Sequence, residues 1–215
     1  MPRLILGSSS VHRRHLLGRL HLEFDTLSPD VDESARPGEH ARDLAIRLAG
    51  AKIDRICRSA DVADAVVIGA DQTAAANGRL LRKPGDRTTA VRQLMDCAGK
   101  TVSFHTACVV LDGPAGRRFE GIDRTRVRFL DLERPRVERY VDIERPYSCT
   151  GGFQAEGLGI TLFESIESTD PTALLGLPLV WLCGVLRELG LDPLGPERSD
   201  PESPGLRSAP GAAVN

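Results

Sequence analysis

Apolar residues recur along the chain in two rhythms, and the rhythm changes from segment to segment. Short apolar runs at 3–7 (RLILG), 23–29 (EFDTLSP) and 65–71 (AVVIGAD) predict strands. Helical spacing predicts helices over about 10–20, 39–59 and 87–97. The Asn77-Gly78 pair in "AAANGRLL" is a hairpin signal. Two long strands, "TVSFHTACVVLD" and "FEGIDRTRVRFL", flank a turn at "GPAG" and read as an antiparallel pair. A helix with Pro135 in its first turn follows, then a glycine-rich segment at 151–159, then a strand "ITLFESI". Pro178 opens the last helix, whose stripe is Leu182, Val185, Leu186 and Leu189, and Gly190 suits its end. This order of elements predicts one α/β unit over residues 1–195 with a mixed sheet and flanking helices. From 196 to 215 the chain is rich in Pro, Gly and Ser with little to bury, which predicts a disordered tail.

Composition narrows the function without naming it. Hydrophobic residues make up 41% of the 215, enough to fill a core. The 28 Lys and Arg nearly balance the 30 Asp and Glu, and aromatics are only 4%, so no nucleic-acid footprint is expected and any basic site must be local. The longest uncharged run, 171–186, falls short of the ~20 apolar residues of a membrane span, and Pro178 interrupts it. The N-terminus lacks a signal-peptide pattern, so the expected location is cytoplasmic, with no membrane partner. The five cysteines show no C-x-x-C spacing and read as reduced, mostly buried thiols.

Charges on apolar faces change the picture. In the first helix Arg13 shares a face with Leu16, Leu17 and Leu20, whereas Arg14 falls off it. In the second helix Lys52 sits on the stripe of Leu44, Leu48 and Ile56. Lys83 precedes Pro84 and is therefore biased to an extended backbone. Long side chains can snorkel from such positions, but three cations together suggest a cleft that holds an anion. Ser8, Ser9 and Ser10 follow a strand and open a helix, where hydroxyls and free N–H groups can cradle phosphate, although at least one of them suits a plain N-cap. Neither a P-loop nor a Rossmann fingerprint is present.

Carboxylates supply the other half of such a site. Asp30, Asp32 and Glu33 lie in a loop where one of them could meet a divalent cation, and hard ions such as Mg²⁺ take one or two carboxylates plus substrate phosphates. Asp71 follows the apolar run "VVIGA", which predicts a position at the strand's C-terminal edge, suited to orienting water or holding metal. His12 and His15 are three apart without a third ligand, and His21, His40 and His105 read as surface or edge residues. No G-x-S-x-G elbow supports serine-hydrolase chemistry.

These motifs, "LILGSSSVHRRHLL", "DVDES", "RLAGAK", "IGADQ", "RKP" and "EGLGITLFESIESTDPTALLGLPLV", resemble the Maf family of nucleoside triphosphate pyrophosphatases up to about Leu194. The resemblance implies an elongated, two-lobed α/β fold with a central cleft, often a homodimer, and Mg²⁺- or Mn²⁺-dependent release of pyrophosphate from a nucleotide. It implies phosphate contacts from Ser8, Arg13, Lys52 and Lys83, metal binding by Glu33 and Asp71, and proton acceptance by Asp71.

The family has two substrate groups. Where the dTTP and UTP group has Arg, Thr and Gln, this chain has His12, Gln72 and Glu156, and the last two resemble the group acting on 7-methyl-GTP. A carboxylate at Glu156 suits the N1–H and amino group of guanine and the cationic methylated ring, and His12 could stack on the base. Val11, Thr150 and Gln154 depart from that group's common Pro, Ala and Lys. The resemblance therefore implies a 7-methyl-GTP pyrophosphatase, with a dTTP/UTP pyrophosphatase and a non-enzymatic, nucleotide-binding regulator of cell division as alternatives.

Overall fold

A computed structural model of the chain describes residues 2–195; the expected tail, 196–215, lies outside the described residues. Strands β1 (Arg3–Gly7), β2 (Asp25–Leu27), β3 (Ala65–Ala76), β4 (Arg79–Leu81), β5 (Thr101–Asp112), β6 (Arg117–Phe129) and β7 (Phe163–Glu167) form one mixed sheet. Its order is β2-β1-β3-β5-β6-β7, with β4 paired to β3. The pairs β1–β2 and β1–β3 are parallel and the rest antiparallel. Helices α1 (Val11–Gly18), α2 (Ala41–Ser59), α3 (Arg87–Cys97), α4 (Arg134–Glu144) and α5 (Leu179–Glu188) cover it.

Local chemistry explains most boundaries. Ser10 caps α1 by accepting from the Arg13 N–H at 3.4 Å, and Asp86 caps α3 through the Thr89 N–H at 2.8 Å. Asn77 and Gly78 both adopt positive φ, 49° and 77°, as a two-residue hairpin of the primed kind requires.

Three apolar clusters hold the sheet. At one end Phe104, Phe129, Phe153 and Leu162 pack with α3 and α4. At the other, one face carries Leu6, Ile68, Leu16 and Leu17 with Leu182 and Leu186 of α5, and the opposite face carries Ile5, Val67 and Val109 with Ala45, Ala49 and Ile53 of α2. A pleated strand sends successive side chains to opposite faces, so neighbours along β3 meet different layers.

Three sequence expectations are corrected. The strand at 65–71 runs on to Ala76, so Asp71 is interior to β3. The strand expected over 160–166 begins at Phe163, because residues 158–162 wind into a 3-10 turn closed by Thr161 Oγ1 on the Leu158 carbonyl at 2.8 Å. The cysteines are unpaired as expected but less buried: only Cys97 and Cys108 are buried, and Cys57 is exposed.

Candidate active site

The site begins with a gap in the sheet. β1 pairs with residues 65–69 of β3, and β4 pairs with the same edge only at 74–76. Residues 70–73 therefore lack a strand neighbour on that edge. The serine segment leaves β1 at this gap and Lys83 leaves β4 beside it, which brings both toward Asp71 and Gln72.

Asp71 faces α2. Gly69, two residues earlier on the same face, makes this approach close: a Cβ there would lie 2.7 Å from the Ala49 carbonyl oxygen and 2.9 Å from an Ile53 carbon. A helix seated that tightly carries Lys52 onto Asp71, with Nζ–Oδ1 at 2.5 Å. Both groups are almost wholly buried, at 5% and 6% exposure. The same ammonium lies 3.0 Å from Glu33 Oε1, and Lys83 approaches Glu33 Oε2 at 4.0 Å. Burial pushes the Glu33 carboxyl up, but the charge and hydrogen bond of Lys52, then Lys83 and Arg13, outweigh it and hold Glu33 below the usual carboxylate range. Asp30 is exposed, and Asp32 accepts the Ser34 N–H at 2.9 Å, so Glu33 is the acidic residue of its loop that enters the cavity.

Arg13 comes from the other side. Its Nε donates to the Gly176 carbonyl at 2.8 Å and its Nη1 to Ser8 Oγ at 3.4 Å. Gly176 has φ of 112°, a conformation that glycine adopts without strain and that lets this carbonyl present itself at the end of a 3-10 turn over 173–175. Ser8 Oγ also accepts the Ser10 N–H at 3.1 Å. Arg14 is exposed, as the helical pattern indicated.

These groups line one cavity of about 420 Å³, which Ser9 and Ser10 also reach. Its far end holds Phe153, Gln154 and Ala155, with Glu156 on the glycine-rich segment. There His12 Nδ1 stands 2.9 Å from Glu156 Oε1, so the two residues singled out as base contacts meet each other. Gln72 also lines the cavity, but it faces away from Asp71 and its amide nitrogen is engaged: it lies 3.0 Å from Thr106 Oγ1 and from the Ala173 and Leu174 carbonyls. Through these contacts Gln72, expected from the resemblance as a specificity residue, also braces the 173–175 wall of the cavity.

The sequence reading missed what holds that wall. Asp170 is buried and accepts from the Thr172 N–H at 2.9 Å and the Val180 N–H at 2.7 Å, tying the turn to the start of α5. Buried Asp123 on β6 accepts from Thr169 Oγ1 at 2.6 Å. The run "STDPT" carried a signal, since Asp and Thr before a helix read as backbone-capping residues.

Among the described residues no three His, Cys, Asp or Glu side chains converge as a ready-made metal centre. No described helix is long and apolar enough to cross a membrane. Fold and site together define an α/β protein with a cavity in which cations and hydroxyls surround two carboxylates at a break in the sheet. A family model described as Maf-like protein matches residues 3–189, and the chain belongs to the Maf family. It is 51% identical over 190 residues to a 7-methyl-GTP pyrophosphatase of Xanthomonas axonopodis pv. citri (strain 306), covering 88% of this chain and 98% of that one. Proteins of the same name from Idiomarina loihiensis (strain ATCC BAA-735 / DSM 15497 / L2-TR) and Bordetella avium (strain 197N) are 44% and 46% identical, covering 89% and 90% of this chain and 96% of each relative.

Proposed function

We propose that this protein is a nucleotide hydrolase that converts 7-methyl-GTP to 7-methyl-GMP and pyrophosphate. The observation that carries the reading is the convergence of Lys52 on Asp71 and Glu33 in a cavity whose other wall is Ser8 and Arg13. The names of the relatives support the substrate.

In this reading Ser8, Arg13, Lys52 and Lys83 bind the phosphates. Charge stabilisation and positioning are most of what phosphoryl-type displacement asks of a protein. Glu33 and Asp71 offer two hard oxygens near one another, the number that Mg²⁺ or Mn²⁺ takes when phosphates complete its shell, so the donor set fits such an ion arriving with the nucleotide. That ion would neutralise charge on the triphosphate. Asp71 also accepts the proton of the attacking water, and the hydrogen bond from Lys52 aims its carboxylate.

At the other end Glu156 accepts from the N1–H and amino group of the guanine, and its charge suits the methylated ring. His12 Nδ1–H donates to one Glu156 oxygen and leaves the other for the base. A free nucleotide is the partner, with no nucleic acid or membrane required, in the cytoplasm. A homodimer, as the family often forms, is expected to sediment at twice the chain mass.

Pyrophosphate release from a nucleotide panel with Mg²⁺ or Mn²⁺ tests the reading. 7-methyl-GTP is expected to lead; UTP or dTTP leading would reassign the base, and tight binding without release would make the protein a nucleotide-binding regulator. Asp71→Asn is expected to lower kcat by about 10²–10⁴-fold, the range of a lost general base, with nucleotide binding retained. An active Asp71→Asn protein would remove that role.

A further inference from the structure

A second cavity of about 350 Å³ adjoins the first, and the two share Glu33, Asp71, Gln72, Lys83 and Thr150 as a common seam. Beyond the seam its walls are partly apolar: Leu44 and Leu48 of α2, Leu80 and Leu81 of β4, and Ala35. Neither the 8–13 segment nor the 174–176 turn lines it. The Ser8–Arg13 wall therefore belongs to one cavity alone, while Asp71 opens onto both.

That arrangement has a chemical consequence, which rests on the proposed hydrolysis. In-line displacement places the nucleophile opposite the leaving group. With the pyrophosphate held at Ser8 and Arg13, the free side of the reacting phosphate faces the seam and the second cavity. The bound nucleotide fills the first cavity, so water must reach Asp71 from elsewhere. Its leucine and alanine walls offer that water no hydrogen bond, so the polar partners it meets are Ser34, Thr73 and Arg82 and the seam groups, where Asp71 stands beside Glu33.

We propose that the second cavity is the nucleophile port, a site for water and other small hydroxylic molecules that delivers them to Asp71. The water oxygen bonds to the α-phosphorus and its proton passes to Asp71. The bond from that phosphorus to the bridging oxygen breaks, and its electron pair leaves with pyrophosphate. Asp71 then returns the proton to solvent. Methanol entering by the same port would transfer its oxygen in the same way and yield the methyl ester of the nucleoside monophosphate plus pyrophosphate.

The port is tested by partition between the two nucleophiles. The full-length protein turns over 7-methyl-GTP, or the best nucleotide of the panel, with Mg²⁺ in aqueous methanol, and the ratio of methyl ester to free monophosphate is measured. Leu80 and Ala35 line only the second cavity. Leu80→Ala should raise the ester share severalfold. Leu80→Phe and Ala35→Leu should lower it severalfold and reduce kcat with KM unchanged. The ratio is internal to each reaction, so partial unfolding of a variant does not move it. An identical ratio in all variants, or no ester from either the unsubstituted protein or Leu80→Ala, overturns the port while leaving the hydrolase reading intact. Absence of pyrophosphate release from every nucleotide overturns both.

Discussion

The two ends of the cavity are built differently. At the proposed phosphate end Lys52 and Asp71 are buried, one on a helix and one on a strand, and Gly69 lets those elements seat closely. At the proposed base end His12 and Glu156 are half exposed, with side-chain exposures of 48% and 38%, and sit on a helix's first turn and a glycine-rich loop. Groups that act on the transition state must be held in place before the substrate arrives, whereas groups that choose the base can sit where substitution disturbs nothing else. Changes at the phosphate end should therefore cost rate and stability together, and changes at the base end should alter selectivity alone.

The sharpest way to break this contrast is Lys52→Met. It leaves Asp71 buried without its ammonium, and removing one partner of a buried pair costs about 3–5 kcal/mol. Urea unfolding should show a loss of that order, and pyrophosphate release should vanish. Adding Asp71→Leu should restore much of the stability, because an apolar pair often replaces a buried ionic one at little cost, but no activity. A Lys52→Met protein as stable as the parent would show that the pair is not a buried unit.

Asp170→Ala comes next. It orphans the Thr172 and Val180 N–H groups, at about 1–3 kcal/mol for each that stays unsatisfied, and slackens the wall that presents the Gly176 carbonyl to Arg13. Thermal unfolding should shift down, and KM should rise more than kcat falls, since Arg13 is displaced but the Asp71 pair is not. Loss of kcat alone would separate the wall from phosphate binding.

Glu156→Gln belongs to the other end. Preference for 7-methyl-GTP over UTP should fall by about tenfold, equivalent to about 1.4 kcal/mol, with the unfolding midpoint unchanged. Unchanged selectivity would remove Glu156 as the base reader.

The same contrast explains what the sequence disclosed. Arg13 and Lys52 were conspicuous because each places a charge on an otherwise apolar helical stripe, and burial of Lys52 beside a carboxylate is the physical reason it can sit there. The Asn77-Gly78 turn and the long β5–β6 pair were legible for equally local reasons. The extension of β3 was not, because alanines at 74–76 carry little strand signal. The brace made by Gln72 was hidden for a different reason: its partners at Ala173 and Leu174 are backbone carbonyls 101 and 102 residues away. Backbone acceptors leave no mark in a sequence, although alternation along β3 does place Gln72 and Asp71 on opposite faces.

The smallest effect tests whether the Glu33 loop belongs to the rigid end. Arg47 of α2 donates from Nε to Glu39 Oε1 at 2.6 Å and from Nη2 to the Ser34 carbonyl at 2.9 Å, so one guanidinium ties the residue next to Glu33 onto the helix that carries Lys52. Hydrogen bonds from Arg47, and then from the Arg36 N–H, pull the Glu39 carboxyl from its ordinary 4.5 down to about 2. A depressed carboxyl pKa means that the folded state favours the ionised form. Its stabilising contribution is therefore complete above about 4.5 and is lost as pH falls toward 2. Glu39→Gln should lower the urea midpoint at pH 7, with the gap to the parent narrowing as pH is taken below 4 and closing near 2. If the gap stays constant with pH, ionised Glu39 is not what holds the loop. If it narrows while KM for the metal nucleotide rises in Glu39→Gln at pH 7, the strap that fixes Glu33 belongs to the phosphate end, and its exposure does not exempt it from that end's rigidity.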